Sequence, residues 1–397
     1  MYITPIIPES SEIKLNNNII NKAEELVIKS ALLVGGNNKY LIKTVRDLLK
    51  KTNSYYSNRI ESEGTHPVEI DKAMNKEFSQ DSEEKRLQLL SLVHIEVQKY
   101  IEKRPKMNEN PFSLETILDI HREFYSKVEM QESLEIQYKD AKAIMIPGKL
   151  RNMDVQVGLH VAPEYSELNE IFNEFETFYN KVKPLSKAMK IIYSLCSHHR
   201  LVYTHPFLDG NGRISRLYLD YLFQHFEIAG YGLWNISRGL ARDTDGYKQH
   251  LALADEKYRG YDDARGPLSL KELHRFLDFM LDTALEQVEY MGKYLAIDSL
   301  GEKIEKYVKL SQSGLFDREP LPKHSEKLFK DLLVSGEIIR GKVQDIIGSS
   351  RATASKLITR LLEREFLESD SEKGAIRLKF NSHFASYIIP ELIPQRN

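Results

Sequence analysis

The twelve residues HPFLDGNGRISR, from His205 to Arg216, decide the fold of the chain around them. They lie between two segments whose apolar side chains recur at the three- and four-residue spacing of an amphipathic helix. Those side chains are Ile191, Ile192, Leu195 and Val202 before the stretch, and Ile214, Leu217, Tyr218 and Tyr221 after it. The sequence therefore predicts two helices, with the dodecamer as the loop that leads into the N-terminus of the second.

The residue types in this loop suit an anionic ligand better than a protein core. Gly210 and Gly212 can adopt positive φ and leave backbone N–H groups uncovered, so the loop can form an anion-binding nest at a helix N-terminus. Arg213 and Arg216 are three residues apart on the first helical turn and can point at the same phosphate groups. We therefore expect this loop to bind phosphate.

Two further side chains of the loop add chemistry. Asp209 supplies one carboxylate, which suits an Mg²⁺ ion shared with substrate phosphates better than a cage of protein ligands. His205 can accept a proton near neutral pH, because the usual pKa of an imidazole is about 6.5. Phe207 is interpreted as a core residue that anchors the loop. The alternative is an ordinary turn with solvated arginines, but the joint pattern argues against it.

The pattern H-x-F-x-[D/E]-G-N-G-R-x-x-R resembles the signature of the Fic (filamentation-induced) family of protein adenylyltransferases, and every fixed position is met. The resemblance implies transfer of AMP from ATP to a Ser, Thr or Tyr hydroxyl, with His205 as the general base and Asp209 as the Mg²⁺ ligand. It also implies that the nucleotide phosphates are bound by Gly210, Asn211, Gly212, Arg213 and Arg216. Because Gly212 and Arg213 are intact, we expect nucleotidyl transfer rather than the kinase activity of a relative in which both are altered.

A second family pattern is found far upstream, in the segment SNRIESEG that begins at Ser57. The autoinhibitory helix of the family reads S/T-x-x-x-E-G/N, and the segment fits it up to Glu61, although Ser62 stands where Gly or Asn is usual. A Glu-Gly dipeptide follows at Glu63, but no Ser or Thr precedes it by four residues. We therefore assign the inhibitory role to Glu61, which would withhold Arg216 from the γ-phosphate of ATP. The alternative is a surface glutamate in a charged helix.

Two other segments resemble family features. Residues 147–163 are predicted to form a short β-hairpin, because Val155 and Val157 alternate with polar neighbours between two glycines. The hairpin resembles the family's flap, which aligns the target segment by main-chain pairing; an ordinary surface hairpin is the alternative. Within residues 233–255, Tyr247 is assigned a contact to the adenine ring, against the alternative of a core residue.

Helical periodicity dominates the rest of the chain. The predicted helices cover residues 19–33, 40–49, 83–101, 114–125, 168–182, 187–203, 214–226 and 270–300. β-Structure is predicted only at the hairpin of residues 147–163 and near the C-terminus.

The C-terminal residues change in character after the Ser, Gly and Pro stretch from Ser311 to Pro322. Helices are predicted over residues 325–334, 340–347 and 351–364, followed by a two-stranded wing over residues 367–380. That order is typical of a winged helix-turn-helix domain. Basic and hydroxyl side chains on the third helix suit DNA. Acidic residues follow closely, however, and winged helices also dock proteins, so DNA and protein partners both stay open.

Composition sets outer limits on these predictions. The chain has 397 residues, enough for two or three domains, with 56 basic and 58 acidic residues, so no global field steers it to nucleic acid or membrane. No run of about 18 apolar residues predicts a membrane span, and the N-terminus resembles no targeting segment. Cys196 is the only cysteine, which excludes an intrachain disulfide. We predict a cytoplasmic protein.

The expected fold is mainly α: a Fic-fold helical core with a short β-hairpin flap, plus a C-terminal winged helix-turn-helix domain. Domains are expected at residues 1–106, with the inhibitory helix, at 107–310, with the catalytic core, and at 311–397. The predicted activity is autoinhibited, ATP- and Mg²⁺-dependent transfer of AMP to an unidentified target protein or to the chain itself, and a homodimer is compatible with it. The alternative function is a DNA-binding regulator whose Fic core senses nucleotide without turnover. Such a sensor would not need His205.

Overall fold

The structure, a computed structural model, describes residues 17–104, 110–138, 141–158, 160–180, 185–257, 263, 268–316 and 318–394. Helices account for most of these residues, which confirms the predicted mainly α class. The N-terminal helices are α1 (Asn17–Leu32), α2 (Lys39–Ile60), α3 (Pro67–Met74) and α4 (Ser82–Lys103). None of the helices in the described part of the chain is both long and apolar enough to cross a membrane.

The centre of the molecule is built from two almost completely buried helices, α7 and α8. The helices of this region are α5 (Leu114–Tyr125), α6 (Leu168–Tyr179), α7 (Lys187–Thr204) and α8 (Asn211–His225). Every residue of α7 from Ile191 to Leu201 is buried, as is every residue of α8 from Ile214 to Phe223. Because α7 packs against α1, α8 and α11, the short loop that joins α7 to α8 is fixed at both ends.

A third group of helices covers this centre. It consists of α9 (Ser237–Arg242), α10 (Thr244–Ala254), α11 (Leu270–Leu295) and α12 (Ile297–Gln312). The single helix predicted over residues 270–300 is therefore wrong, because Ala296 adopts extended backbone, with φ −60° and ψ 123°, and separates α11 from α12. The predicted domain boundary at residue 311 falls in the last turn of α12, and the boundary at residue 106 lies outside the described residues.

Two small hairpins lie between α5 and α6. The first pairs β1 (Glu135–Tyr138) with β2 (Ala141–Ile144), and the second pairs β3 (Gln156–Val157) with β4 (His160–Val161). The second hairpin confirms the strand pair predicted within residues 147–163. The expectation of no other β-structure before the C-terminus is wrong, because β1 and β2 have only four residues each, too few to establish a two-residue alternation.

The C-terminal unit combines helices with a small antiparallel sheet. Its helices are α13 (Ser325–Ser335), α14 (Val343–Ile347), α15 (Arg351–Glu363) and α16 (Ser382–Ile388). Its strands are β5 (Glu337–Ile338), β6 (Leu367–Glu368) and β7 (Ile376–Leu378), in the order β5-β7-β6. The unit packs on α2, where the Asn38 amide donates to the Leu333 carbonyl at 2.9 Å and the Thr44 hydroxyl donates to the Leu378 carbonyl at 2.8 Å. Helix α2 therefore runs from the C-terminal unit to the loop between α7 and α8.

Candidate functional site

The loop between α7 and α8 is closed by its own residues. Helix α7 ends at His205, whose left-handed backbone (φ 47°) turns the chain out of the helix, and Gly210 (φ 80°) turns it into α8. The Asn211 side chain accepts from the Phe207 N–H and donates to the Phe207 carbonyl, both at 2.9 Å. Since Asn211 already belongs to α8, Gly212, Arg213 and Arg216 lie on its first two turns. The start of this helix predicted at residue 214 is three residues late.

The loop rests on aromatic side chains of α5. Phe207 is buried and stacks on the His121 ring, with the centroids 3.8 Å apart and an interplanar angle of 18°. This confirms that Phe207 is a core residue. His121 in turn accepts at Nδ1 from the Gly148 N–H at 2.9 Å. The Tyr125 hydroxyl lies directly below Gly210, where an added Cβ would meet it at 2.1 Å, so only glycine fits this close approach.

A buried arginine holds the backbone at His205. Arg151 donates from Nε to the His205 carbonyl at 2.8 Å and from its backbone N–H to the Pro206 carbonyl at 2.8 Å. Burial, followed by the charges of His160 and Arg151, lowers the pKa of His205 to about 4. The imidazole is therefore neutral at pH 7 and can accept a proton.

The second arginine of the loop is held by the C-terminal end of α2. Arg216 donates from Nε to the Ser57 hydroxyl at 2.9 Å, and from Nη2 to the Ser57 carbonyl at 2.8 Å and to Glu61 Oε1 at 2.7 Å. Ser57 carries one of the last four carbonyls of α2, which lack partners within the helix, so Arg216 also caps that helix. Burial alone would raise the pKa of Glu61, but the charge and hydrogen bond of Arg216 lower it below its usual value. The carboxylate therefore stays charged at neutral pH.

Glu61 also lies against the loop backbone. A Cβ added to Gly212 would meet Glu61 Oε1 at 2.1 Å, so the carboxylate occupies the space over the N-terminus of α8. Among the described residues, no side chain caps that N-terminus. Helix N-termini with uncovered N–H groups attract anions. The Glu61 carboxylate therefore supplies the negative charge at this helix N-terminus.

The first arginine of the loop is held by a different carboxylate. Arg213 pairs through Nη1 with Glu63, and through Nη2 with Asp209 at 3.2 Å and the Tyr125 hydroxyl at 3.3 Å. Glu63 is itself bound by Arg86 of α4 at 2.9 Å. Both arginines of the loop thus face carboxylates from residues 57–64.

Asp209 has the chemistry of a ligand for a hard cation. Its side chain is 43% exposed and precedes the N-terminus of α8 by two residues. One carboxylate next to an anion site fits an Mg²⁺ ion that takes its other ligands from phosphate and water. No group of three or more His, Cys, Asp or Glu in the described part of the chain is arranged to hold a metal by itself.

The Tyr247 side chain is buried against α7. Its side chain is 2% exposed, and its hydroxyl lies 2.8 Å from His198 Nε2, while His198 Nδ1 lies 3.1 Å from the Ser215 carbonyl. The ring as placed offers no open face to an adenine base. A supporting role beneath α8 is therefore a better interpretation than the predicted adenine contact.

The structure brings most of the predicted site residues into one place. These are Glu61, His205, Asp209, Gly210, Asn211, Gly212, Arg213 and Arg216. Sequence reasoning missed the roles of Tyr125, Arg151 and Glu63 around them. Arg151 lies 54 residues before His205, and no local spacing connects the two. Glu63 was visible in the sequence, but only the fold shows that a second carboxylate reaches the loop.

Part of the chain is similar to proteins of a known family. Residues 111–223 match the model of the Fic/DOC family. An Aedes aegypti protein named protein adenylyltransferase Fic is 35% identical over 126 residues, which are 32% of this chain and 22% of that protein. A Drosophila yakuba protein of the same name is 32% identical over 144 residues, 36% of this chain and 25% of that protein. The chain thus spans a quarter or less of these relatives.

Solved structures share the fold. A Fic family protein from Desulfovibrio desulfuricans superimposes with a TM-score of 0.53 at 14% identity, over 95% of this chain and 98% of that one. Fic-1 from C. elegans superimposes with a TM-score of 0.51 at 15% identity, over 69% of this chain and 71% of that one. The family match covers α5 to α8 and includes the whole loop. Residues 111–223 of this chain are therefore similar to the Fic/DOC family.

Proposed function

We propose that the protein is an autoinhibited protein adenylyltransferase that transfers AMP from ATP to a Ser, Thr or Tyr hydroxyl of another protein or of itself. One observation carries the proposal. A neutral, partly buried histidine follows α7 directly, in the same loop that leads to two arginines at the start of α8, and the Glu61 carboxylate is bonded to one of these arginines at 2.7 Å. The names of the relatives support the same chemistry.

His205 would act as the general base of the transfer. The target hydroxyl oxygen forms a bond to the α-phosphorus of ATP, the bond from that phosphorus to the β-bridging oxygen breaks, and pyrophosphate leaves. The hydroxyl proton passes to His205, which is unprotonated at neutral pH because of its lowered pKa. Arg151 would keep the ring in position through its hydrogen bond to the His205 carbonyl.

The phosphates would be bound by the start of α8. The backbone N–H groups of Gly210, Asn211 and Gly212 would donate to phosphate oxygens there, whereas the Asn211 side chain already closes the loop. Arg213 and Arg216 would compensate the phosphate charge. Asp209 would hold Mg²⁺, which neutralises phosphate charge when bound.

Inhibition would follow from competition for these cations. The Glu61 carboxylate holds Arg216 and fills the space above Gly212, so a productively bound triphosphate would have to displace it. Glu63 holds Arg213 in the same way. We therefore propose that residues 57–64 block both phosphate-binding arginines, with Glu61 as the principal contact.

The test uses radiolabelled ATP and three variants of the full chain. Glu61→Gly is expected to raise AMP incorporation by about 10- to 100-fold, which corresponds to the free energy of one hydrogen bond to a charged group. Residue 61 follows the last residue of α2, so glycine is tolerated at this position. Glu61→Gln separates the charge from the shape of the side chain.

His205→Ala in the Glu61→Gly background is expected to lower incorporation by at least about 100-fold. A mass increase of about 329 Da, the added AMP, identifies the product on the target or on the chain itself. Labelling that survives His205→Ala would reject the assigned base. An equal rate for wild type and Glu61→Gly would reject the inhibitory assignment.

The runner-up is a DNA-binding regulator whose nucleotide site does not turn over, and one observation favours a nucleic-acid partner. Helix α15 exposes Arg351, Thr353, Ser355, Lys356 and Arg360, side chains that suit phosphates and base edges. For the C-terminal unit we propose a winged helix, with DNA or a protein as its partner. Salt-sensitive, sequence-selective binding in a gel-shift titration, together with no His205-dependent labelling, would favour the regulator.

A further inference from the structure

His160, the first residue of β4, is bonded to two acceptors that come from different helices. Its Nε2 lies 2.9 Å from the carbonyl of Tyr203, near the end of α7, and its Nδ1 lies 3.0 Å from Oδ2 of Asp255, directly after α10. A carbonyl oxygen can only accept, so Nε2 carries a proton. The carboxylate at Nδ1 favours a second proton there, which makes the ring an imidazolium.

The other partner of Asp255 does not supply this charge. His199 Nε2 lies 3.3 Å from Asp255 Oδ1, while His199 Nδ1 faces the Arg200 guanidinium at 3.0 Å. Because a guanidinium only donates, His199 Nδ1 accepts and the ring carries a single proton, on Nε2. Burial likewise lowers the pKa of His199. Asp255 therefore has one cationic partner among these rings, His160.

The charge on His160 faces the proposed base. The ring centroids of His160 and His205 are 6.4 Å apart. Burial alone would lower the pKa of His160, but the hydrogen bond and charge of Asp255 raise it, with Arg151 opposing. Within the described part of the chain, the charged or titratable groups around the ring are Asp255, His199, Arg151, His205 and the Tyr203 side chain. A positive charge at this distance disfavours protonation of His205.

We infer that His160 is a positioning residue of the proposed transfer: its bridge to Tyr203 and Asp255 fastens the β3–β4 hairpin to α7 and α10 and places a fixed positive charge beside His205. The effect on AMP transfer rests on the proposed function. The effect of His160 on the pKa of His205 does not. The hairpin strands contain only two residues each, so a contact from a side chain to two helices matters more here than strand pairing.

The experiment introduces His160→Gln into the Glu61→Gly protein and compares this double variant with Glu61→Gly alone. Glutamine can still donate to Tyr203 or Asp255 but carries no charge. Histidine NMR follows the titration of the His205 ring, identified by the signal that disappears in His205→Ala. The His205 titration is expected to move upward by about 0.5 to 1 unit, as for one unit charge at this separation in a partly screened site. Asp255→Asn is the second variant, and it should give the same direction because it removes the partner that holds His160 charged.

The control is His225→Gln, a histidine at the far end of α8 that bonds to Tyr221 within its own helix. It should leave the His205 titration unchanged. An unchanged His205 titration in folded His160→Gln and Asp255→Asn proteins would overturn the inference. The acid limb of the AMP-transfer rate should move upward with the NMR titration. If Glu61→Gly transfers no AMP at all, the proposed function fails, while the NMR result still decides the role of His160.

Discussion

The loop from His205 to Arg216 and the segment from Ser57 to Gly64 meet in the site but are stabilised in different ways. The loop is held by its own backbone turns, by the Asn211–Phe207 hydrogen bonds and by the stacking of Phe207 on His121. The segment reaches the loop through the polar contacts of Ser57, Glu61 and Glu63 with the two arginines.

This difference separates construction of the site from its inhibition. Because the loop does not depend on the glutamates for its shape, they can leave without dismantling the phosphate-binding turn. Because the glutamates hold the arginines by charge, an anion can replace them. The comparison predicts that removing the bonds that shape the loop lowers stability, whereas removing the carboxylates of the segment raises activity.

The largest expected effect is a loss of folding stability in acid, caused by the buried histidines around the loop. Burial lowers the pKa of His94, His121 and His198 to about 3. Between that pH and about 6.5 the unfolded state binds more protons than the folded state, so stability is full above pH 6.5 and is lost as the pH falls. Each histidine contributes about 1.4 kcal/mol per pH unit. Burial raises the pKa of Asp220 to about 6. Below that pH the folded state binds one more proton at this carboxyl, which offsets the contribution of one histidine to the loss of stability.

Urea unfolding at pH 7.5 and pH 5.0 measures this effect. The free energy of unfolding should fall by several kcal/mol, and His121→Asn should reduce this pH dependence by the contribution of one histidine. The lowered pKa of Glu61 keeps the inhibitory contact charged over the same range. Acid should therefore weaken the fold without raising AMP incorporation. An equal urea midpoint at the two pH values, or higher AMP incorporation at pH 5.0, would contradict the comparison.

The next effect is expected for Asn211→Ala. The substitution leaves the buried N–H and carbonyl of Phe207 without partners, which costs about 2–4 kcal/mol of unfolding free energy. Urea unfolding at pH 7.5 measures it. The control, Asn173→Ala at an exposed position of α6, should change stability by less than about 0.5 kcal/mol. Equal stabilities for the two variants would show that the loop does not depend on these bonds.

The smallest effect is expected for Glu63→Gln. Arg213 keeps Asp209 and Tyr125 as partners after this change, so AMP incorporation should rise by only about 2- to 5-fold, as for a partly exposed ion pair. The matched control is Glu83→Gln, which removes another carboxylate of Arg86 without touching Arg213. A rate equal to that of Glu83→Gln would leave Glu63 without an inhibitory role. A rate above that of Glu61→Gly would make Glu63 the principal contact.

Local patterns predicted α5 and α7 closely, but the helix predicted over residues 40–49 covers less than half of α2, which ends at Ile60. The turn of Gly210 and the helical spacing before and after it placed the loop correctly, since these signals extend over a few neighbouring residues. The break at Ala296 was missed because Leu295 and Ile297 continue the apolar pattern on both sides of it. The hairpin of β1 and β2 was missed because four-residue strands carry almost no periodicity.

The sequence by itself determined the helical class, the helix–loop–helix around His205, the residue types for phosphate chemistry and the identity of Glu61 as the inhibitory candidate. Only the tertiary structure decided that Arg151 holds the His205 backbone, that His160 faces the base, and that Tyr247 is buried beneath α8. The physical reason is range. Turns, caps and periodicity arise between near neighbours in the chain, whereas ion pairs and buried contacts depend on which distant residues the packing brings together.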